Sequence, residues 1–422
     1  TLVCTIRRPP ACIYKQYNLR KLKNFQNETT LGRLWVVDKA ALYKLLILKG
    51  KPKKNEHMLQ NYFRNFLMLL LCLFAVTAQA QPGDTTDTVA TTEKPFKLTG
   101  AVDVYYAYDF SQPANRYRQF TTQAYRHNEF NLNYGYLKAA YEQGRVRATL
   151  LLHTGTYVQA NYAAEPNTLT RLIGQAYAGI RFGTGTWLDV GVLPSHIGYE
   201  STFSGDNVVY TRALMAENSP YYETGARLTH SFSERLTATV LLLNGWQNIH
   251  ETNNAKSFGA GLSYSPSEKL NLSYNNYYGN EAPDSMSAKY RFFNNFNVKY
   301  IFSKMFTLGG SFDFGTQELI YSSDRGNWYA ALLVAQYRLS ERYAVAARLE
   351  HYNDNKQVIV ETGTANGFQT SSLTCNFDYQ PMPNALLRLE ARGYKSKDAV
   401  FLGKDGAQEN NALLTAAVTV KF

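Results

Sequence analysis

The sequence predicts an all-β fold: a closed antiparallel transmembrane β-barrel of about 16 strands, with short turns at one end and long loops at the other. Three observations predict it. Residues 96–422 alternate apolar and polar side chains with a period of two. Tight turns of similar chemistry recur along that stretch at a steady interval. The chain also carries 32 Tyr, 23 Phe and 4 Trp, while its mean hydropathy is only −0.34. A polar average excludes a bundle of membrane helices, and so many aromatics exclude a disordered or fibrous chain.

Each element follows from its residues. Successive side chains of a strand point to opposite faces. In the first strand Leu98, Val102, Val104, Tyr106 and Tyr108 share one face, and Thr99, Ala101, Asp103, Tyr105 and Asp109 share the other. The last strand sets Leu414, Ala416, Val418, Val420 and Phe422 against Thr415, Ala417, Thr419 and Lys421. Between them, Leu188 and Val190 flank Asp189, Phe312 and Phe314 flank Asp313, and Leu387 and Leu389 alternate with Arg388, Glu390 and Arg392.

The turns set the count. Ser233, Ser267, Ser303 and Ser340 stand 34, 36 and 37 residues apart in turns of the Ser-Glu-Arg type, and residues 142–145, 183–185 and 381–384 complete the series. One repeat is one hairpin, with two strands of about ten residues, a tight turn and a longer loop opposite. Seven such turns fit 16 strands. Soluble sandwiches rarely keep one end uniformly short, so the pattern favours a barrel over a soluble all-β fold. Closure removes the sheet edges that lipid cannot satisfy. Sixteen strands enclose more space than their own side chains fill, so a water-filled lumen is expected. The aromatics beside the turns, Tyr141, Trp187, Tyr264, Tyr300 and Tyr343 among them, are expected to form an interfacial girdle.

Ahead of the repeat, residues 58–81 read MLQNYFRNFLMLLLCLFAVTAQAQ. A start Met, a basic Arg64, a short apolar run and Ala-Gln-Ala predict a signal peptide over 58–80. Residues 1–57 are expected to be upstream translation or a disordered leader, 81–95 a flexible spacer and 96–422 the barrel. Of 44 Lys+Arg and 33 Asp+Glu, residues 1–80 hold 14 and 3, which leaves 30 of each beyond them. The net charge of +11 therefore lies in the leader, and no nucleic-acid footprint remains in the rest. Cys4, Cys12 and Cys72 lie there too, and Cys375 alone makes no intrachain disulfide or Cys-based metal site. Past the leader, His127, His153, His196, His230, His250 and His351 are spread apart and read as scattered surface or loop residues. Ser195 and His196 would point to opposite faces of an extended chain, a poor nucleophile–base geometry. No catalytic residue, metal or cofactor is expected.

The signal peptide, the Ser-Glu-Arg turns, the long segment after the fifth strand and the terminal Phe422 resemble those of bacterial outer-membrane porins. Gln175-Ala176-Tyr177, then Gly191-Val192-Leu193-Pro194 through Gly198-Tyr199-Glu200, then Ser219-Pro220-Tyr221-Tyr222 and Gly225 resemble the β-barrel porin-2 family. The resemblance covers nearly all of residues 96–422. It implies a bacterial outer-membrane channel, with periplasmic turns and extracellular loops.

Residues 194–222 form the longest connection, 29 residues. The porin resemblance implies a loop folded into the lumen, with Glu200, Asp206, Arg212 and Glu217 available to line a constriction. Rings of side-chain charge set selectivity in pores. The two-residue phase turns Asp103, Asp189, Asp313, Arg348, Glu350, Arg388, Glu390 and Arg392 inward, because a Lys or Arg facing mid-membrane lipid costs about 2–4 kcal/mol. The row Arg388, Glu390, Arg392 can equally brace the wall. Phe422 is expected to serve as an assembly signal on an apolar terminal strand. The expected function is a porin for passive diffusion of small hydrophilic solutes. A structural or adhesive barrel of little conductance is the alternative, and a lipid hydrolase the third. Expected partners are outer-membrane lipid and lipopolysaccharide, the barrel assembly machinery and small hydrophilic solutes, with a homotrimer among the open assemblies and no nucleic acid.

Overall fold

A computed structural model describes residues 94–422 apart from 320, 321 and 323. The upstream segment 1–57, the signal peptide 58–80 and the spacer up to residue 93 lie outside the described residues.

The first strands are β1 (Phe96–Asp109), β2 (Phe130–Gln143), β3 (Val146–Thr154), β4 (Ile173–Phe182), β5 (Thr186–Pro194) and β6 (Tyr222–Ser233). Then come β7 (Leu236–Leu243), β8 (Ser257–Ser267), β9 (Leu270–Asn280), β10 (Tyr290–Ile301), β11 (Phe306–Glu318) and β12 (Arg325–Arg338). The chain ends with β13 (Tyr343–Asp354), β14 (Phe368–Met382), β15 (Ala385–Ser396), a small hairpin of β16 (Phe401–Gly403) and β17 (Gly406–Gln408), and β18 (Asn410–Lys421). Among the described residues, sixteen strands close into one antiparallel barrel in sequence order, and β16 and β17 lie outside it. The seam joins β18 to β1, from Ala101 opposite Lys421 to Asp109 opposite Leu413. Gly100 and Phe422 exchange both backbone hydrogen bonds there, at 2.7 and 2.9 Å.

Burial runs opposite to that of a water-soluble protein. Leu349 is 56% exposed while its neighbour Arg348 is 0% exposed, and Leu389 is 55% exposed beside Glu390 at 1%. Charges inside and apolar side chains outside fit a wall whose exterior meets lipid. Among the described residues no helix is long and apolar enough to cross a membrane. All seven predicted tight turns join consecutive strands. Where the backbone crowds, glycine is required: Gly191 on β5 has φ +137, and a Cβ there would lie 2.1 Å from the Ala176 carbonyl oxygen.

Four expectations need correction. Pro194 and Tyr222 belong to β5 and β6, so the long connection is residues 195–221. Trp187 is no girdle residue, because its ring lies under the inward Arg147 guanidinium at 4.1 Å. His127 and His153 are buried and the His196 side chain is 5% exposed, so none is a surface histidine; His153 faces inward from β3 and bonds the Tyr134 hydroxyl. The interior is also fuller than a water-filled lumen implies. Leu241, Tyr277, Phe293, Trp328, Leu332 and Tyr352 of the wall pack with Ile197, Val209 and Leu214 of the long connection in one apolar cluster. Strand side chains alone do not fill 16 strands, and the inserted loop occupies part of the space they leave.

Candidate functional site

The connection 195–221 crosses the barrel. It starts between β5 and β6 and ends its reach on β13 and β15, about halfway round the ring. Its base is closed by the Ser195 N–H donating to the Tyr221 carbonyl at 3.2 Å. The next residues follow the inner wall from strand to strand. His196 lies across Gly259 of β8, where a Cβ would come within 2.8 Å of the imidazole. Its Nδ1 contacts Glu223 of β6 at 2.9 Å and its Nε2 the Asn276 carbonyl of β9 at 2.8 Å. Gly198 N–H donates to Asn295 of β10. The Tyr199 hydroxyl sits over Gly309 of β11, a position where a Cβ would be only 1.7 Å away.

Ser195 and His196 do not point apart, as an extended chain would require. The chain leaves strand geometry after Pro194, and both side chains converge on Glu223, with Ser195 Oγ donating at 3.2 Å. This is an anchor: the serine and the ring share an acceptor instead of bonding each other.

Glu200 then meets Arg348 of β13 at 2.6 Å. Arg348 also lies 3.5 Å from Glu350 and donates to the Thr211 carbonyl at 2.7 Å. Arg392 of β15 pairs with Glu350 and donates to the Arg212 carbonyl. Glu390 accepts from the Thr211 N–H at 2.9 Å. Arg388 pairs with Asp378 at 3.0 Å and donates to the Ser204 carbonyl at 2.6 Å. Two short helices complete the filling, α1 (Thr156–Asn161) and α2 (Leu214–Glu217). The first N–H groups of α2 have no intrahelical acceptor. Here Ala213 N–H donates to Glu200 and Leu214 N–H to Glu350, both at 2.6 Å.

The structure thus gathers Arg348, Glu350, Arg388, Glu390 and Arg392 around the loop. Asp103 of β1 joins them, accepting from Ser204 at 2.6 Å, Tyr210 at 3.1 Å and Asn133 at 2.7 Å. Asp189 and Asp313 stand apart on other walls: Asp313 accepts from Asn295 at 2.6 Å, and Asp189 pairs with Arg147 and Arg227. On the loop, Arg212 and Glu217 pair with each other at 3.0 Å, and Asp206 pairs with Lys421. Burial alone would lower the pKa of Arg212, but Glu217, Tyr221 and Tyr157 around it raise it, so its charge is kept. For His196 too, burial opposes the charge, and Glu223 and the Asn276 carbonyl outweigh burial and raise the pKa.

Sequence reasoning missed Arg147, Arg227, Asp378, His196 and Glu223. The first two lie in register with Asp189 across β3–β6, a signal available once those strands are phased. The anchor at His196 left no sequence signal, because its acceptor on β9 is a backbone carbonyl. On the turn side of the loop lies a cavity of about 330 Å³, whose lining includes Asp206, Lys299, Arg338, Arg388 and Lys421. Among the described residues no group of three or more His, Cys, Asp or Glu could hold a metal ion.

Residues 95–422 match the family model described as "Putative beta-barrel porin-2, OmpL-like". No curated protein matches the sequence. Solved structures share the fold. The anion-selective porin from Comamonas acidovorans has 12% identity and a TM-score of 0.52, over 78% of this chain and 99% of that one. The outer membrane channel DcaP of Acinetobacter baumannii has 11% identity and a TM-score of 0.53, over 78% and 97%. Salmonella typhi OmpF, in complex with daunomycin, has 12% identity and a TM-score of 0.51, also over 78% and 97%.

Proposed function

Because this chain belongs to the beta-barrel porin-2, OmpL-like family, a porin-like barrel of the bacterial outer membrane, we propose that it passes small hydrophilic solutes by passive diffusion. The loop 195–221 is the constriction, and the solute path runs between it and the wall it leaves free. The observation that carries this reading is the docking of the loop. Glu200, Thr211 and Leu214 are tied to Arg348, Glu350 and Glu390 on one side of the ring. The opposite wall, β2 to β6, keeps half-buried polar groups such as Lys138 and Tyr177 on its inner face. No energy source is needed for flow down a gradient through such a gap.

A second reading has its own observation. The apolar cluster of wall and loop residues fills much of the loop-side half, as a structural barrel of little conductance would have it. Planar-bilayer recording decides between the two. Discrete conductance steps with the purified protein support the porin; an ion-tight barrel that stays tight after loop deletion supports the structural reading. The hydrolase reading finds no support at Ser195 and His196, which share Glu223 as acceptor. Outer-membrane lipid and lipopolysaccharide against the apolar exterior, the assembly machinery at β18 and a homotrimer belong to this same proposal.

A further inference from the structure

The charges of the inner wall are not equally accessible. Asp103, Asp189, Glu350 and Glu390 are at most 7% exposed, and each is already held by an ion pair or hydrogen bonds. The bases differ. Lys138 and Arg181 are half-buried, Lys299 and Arg338 are exposed, and no ion pair engages these four among the described residues. The acidic exceptions include Glu142, exposed beside the turn after β2, Glu341, exposed on the lining of the turn-side cavity, and Asp206, which Lys421 pairs. What a solute meets inside is therefore mostly cationic.

One place concentrates this charge. Arg147, Arg181 and Arg227 surround Asp189 and Trp187 on β3 to β6. Arg147 forks onto Asp189 with two bonds of 2.7 Å while its guanidinium stacks on Trp187 at 4.1 Å. Arg227 reaches the same carboxylate at 3.1 Å, and its Nε is buried without an acceptor. The Arg181 guanidinium lies 5.9 Å from the Trp187 ring. Asp189 and Glu142, which stands opposite Arg147 on β2, offset two of the three guanidiniums, so one net positive charge remains, with Arg147 and Arg227 pre-oriented by their bonds to Asp189. Guanidinium presents paired donors that match carboxylates and phosphates. Positive charge in a low-dielectric cleft concentrates anions, and rings of Arg and Lys line anion pores. Lys299 and Arg338 extend the same sign into the turn-side cavity.

We infer that the lumen prefers anions, and that Arg147, Arg181 and Arg227 around Trp187 form the site that guides small carboxylates or inorganic anions. This rests on the porin reading and names its solute class.

Two measurements test it. The first is the reversal potential of purified protein in a potassium chloride gradient. Chloride permeability should exceed that of potassium severalfold, and Arg181→Glu combined with Arg227→Gln should bring the ratio to one or below. Lys138→Ser, outside the cluster, should keep the preference for chloride. The second needs no conduction: Trp187 fluorescence should be quenched more by iodide than by caesium, with Trp187→Phe identifying its signal and Arg181→Glu removing the difference. Conductance with equal or cation-biased permeability, or caesium quenching as strong as iodide, overturns the inference and leaves the porin reading intact. No conductance, even after deletion of residues 205–217, overturns the porin reading, and the quenching comparison still decides the charge of the site.

Discussion

His196 bridges two strands that are not neighbours, with Nδ1 2.9 Å from the Glu223 carboxylate on β6 and Nε2 2.8 Å from the Asn276 carbonyl on β9. The Asn276 carbonyl can only accept, so Nε2 donates, and the Glu223 carboxylate favours the protonated ring in which Nδ1 donates as well. Ser195 also donates to Glu223, and Arg227 is the opposing charge nearby. The net effect raises the histidine pKa above its ordinary value of about 6.5. A raised pKa stabilises docking fully below that ordinary value, and the contribution disappears as pH rises through the folded value. The connection 195–221 should therefore loosen on the alkaline side. Hydrogen–deuterium exchange of this segment, corrected for intrinsic rates, should quicken between pH 6 and pH 9. His196→Gln should be loose at both pH values. Equal corrected rates in the parent protein would remove the anchor role.

Arg348 and Glu200 should couple. Removing one partner of a buried pair typically costs about 3–5 kcal/mol, because the other charge is left uncompensated. Arg348→Ala strands Glu200 and weakens the Glu350 contact, while the closed ladder of strand hydrogen bonds stays intact. The cost should fall on loop docking and leave barrel folding unchanged. A double-mutant cycle with Glu200→Gln, read by exchange in residues 195–221, should give a coupling of about 0.5–3 kcal/mol. Additive effects would mean that the pair does not dock the loop.

How far the sequence reached is visible at single residues. The phase of β13 and β15 was readable because Leu349 and Leu389 alternate with Arg348 and Glu390, and lipid outside enforces that alternation. Turns were readable because tight hairpins need their own chemistry. The docking of the loop was not, because Arg388 and Arg392 bind it through the carbonyls of Ser204 and Arg212, which every residue type carries. Trp187 misled for a related reason: an aromatic beside a turn suits the interface, but its inward phase on β5 and the Arg147 guanidinium decide its place. The apolar cluster also escaped notice, since Tyr277, Phe293 and Trp328 sit at inward positions expected to be polar.

Deleting residues 205–217 should widen the lumen. The segment supplies Val209, Leu214 and the groups that cover Arg388, Glu390 and Arg392. The wall closes through strand hydrogen bonds that do not involve it. Single-channel conductance should rise several-fold, and the purified barrel should keep its heat-modifiable gel mobility. Conductance equal to that of the parent would place the segment outside the solute path.

We propose that Phe422 acts during assembly. Phe422, the residue after β18, is 66% exposed, and its ring lies over Gly100, where a Cβ would meet it at 2.6 Å. Its backbone closes the seam by giving and taking one bond with Gly100. Before closure, β18 is an unpaired edge with alternating apolar side chains, suited to capture by strand addition. It must then exchange that partner for β1. Two variants separate the roles. Phe422→Ala keeps the backbone bonds and removes only the aromatic; deletion of Phe422 removes both, and two backbone bonds are worth about 1 kcal/mol each. If the ring is read by the assembly machinery, both variants should leave unfolded protein in the periplasm, sensitive to protease. If Phe422 only closes the seam, Phe422→Ala should reach the outer membrane at parental levels and the deletion should lower barrel stability slightly. Parental levels of folded, inserted Phe422→Ala protein would therefore refute the signal role.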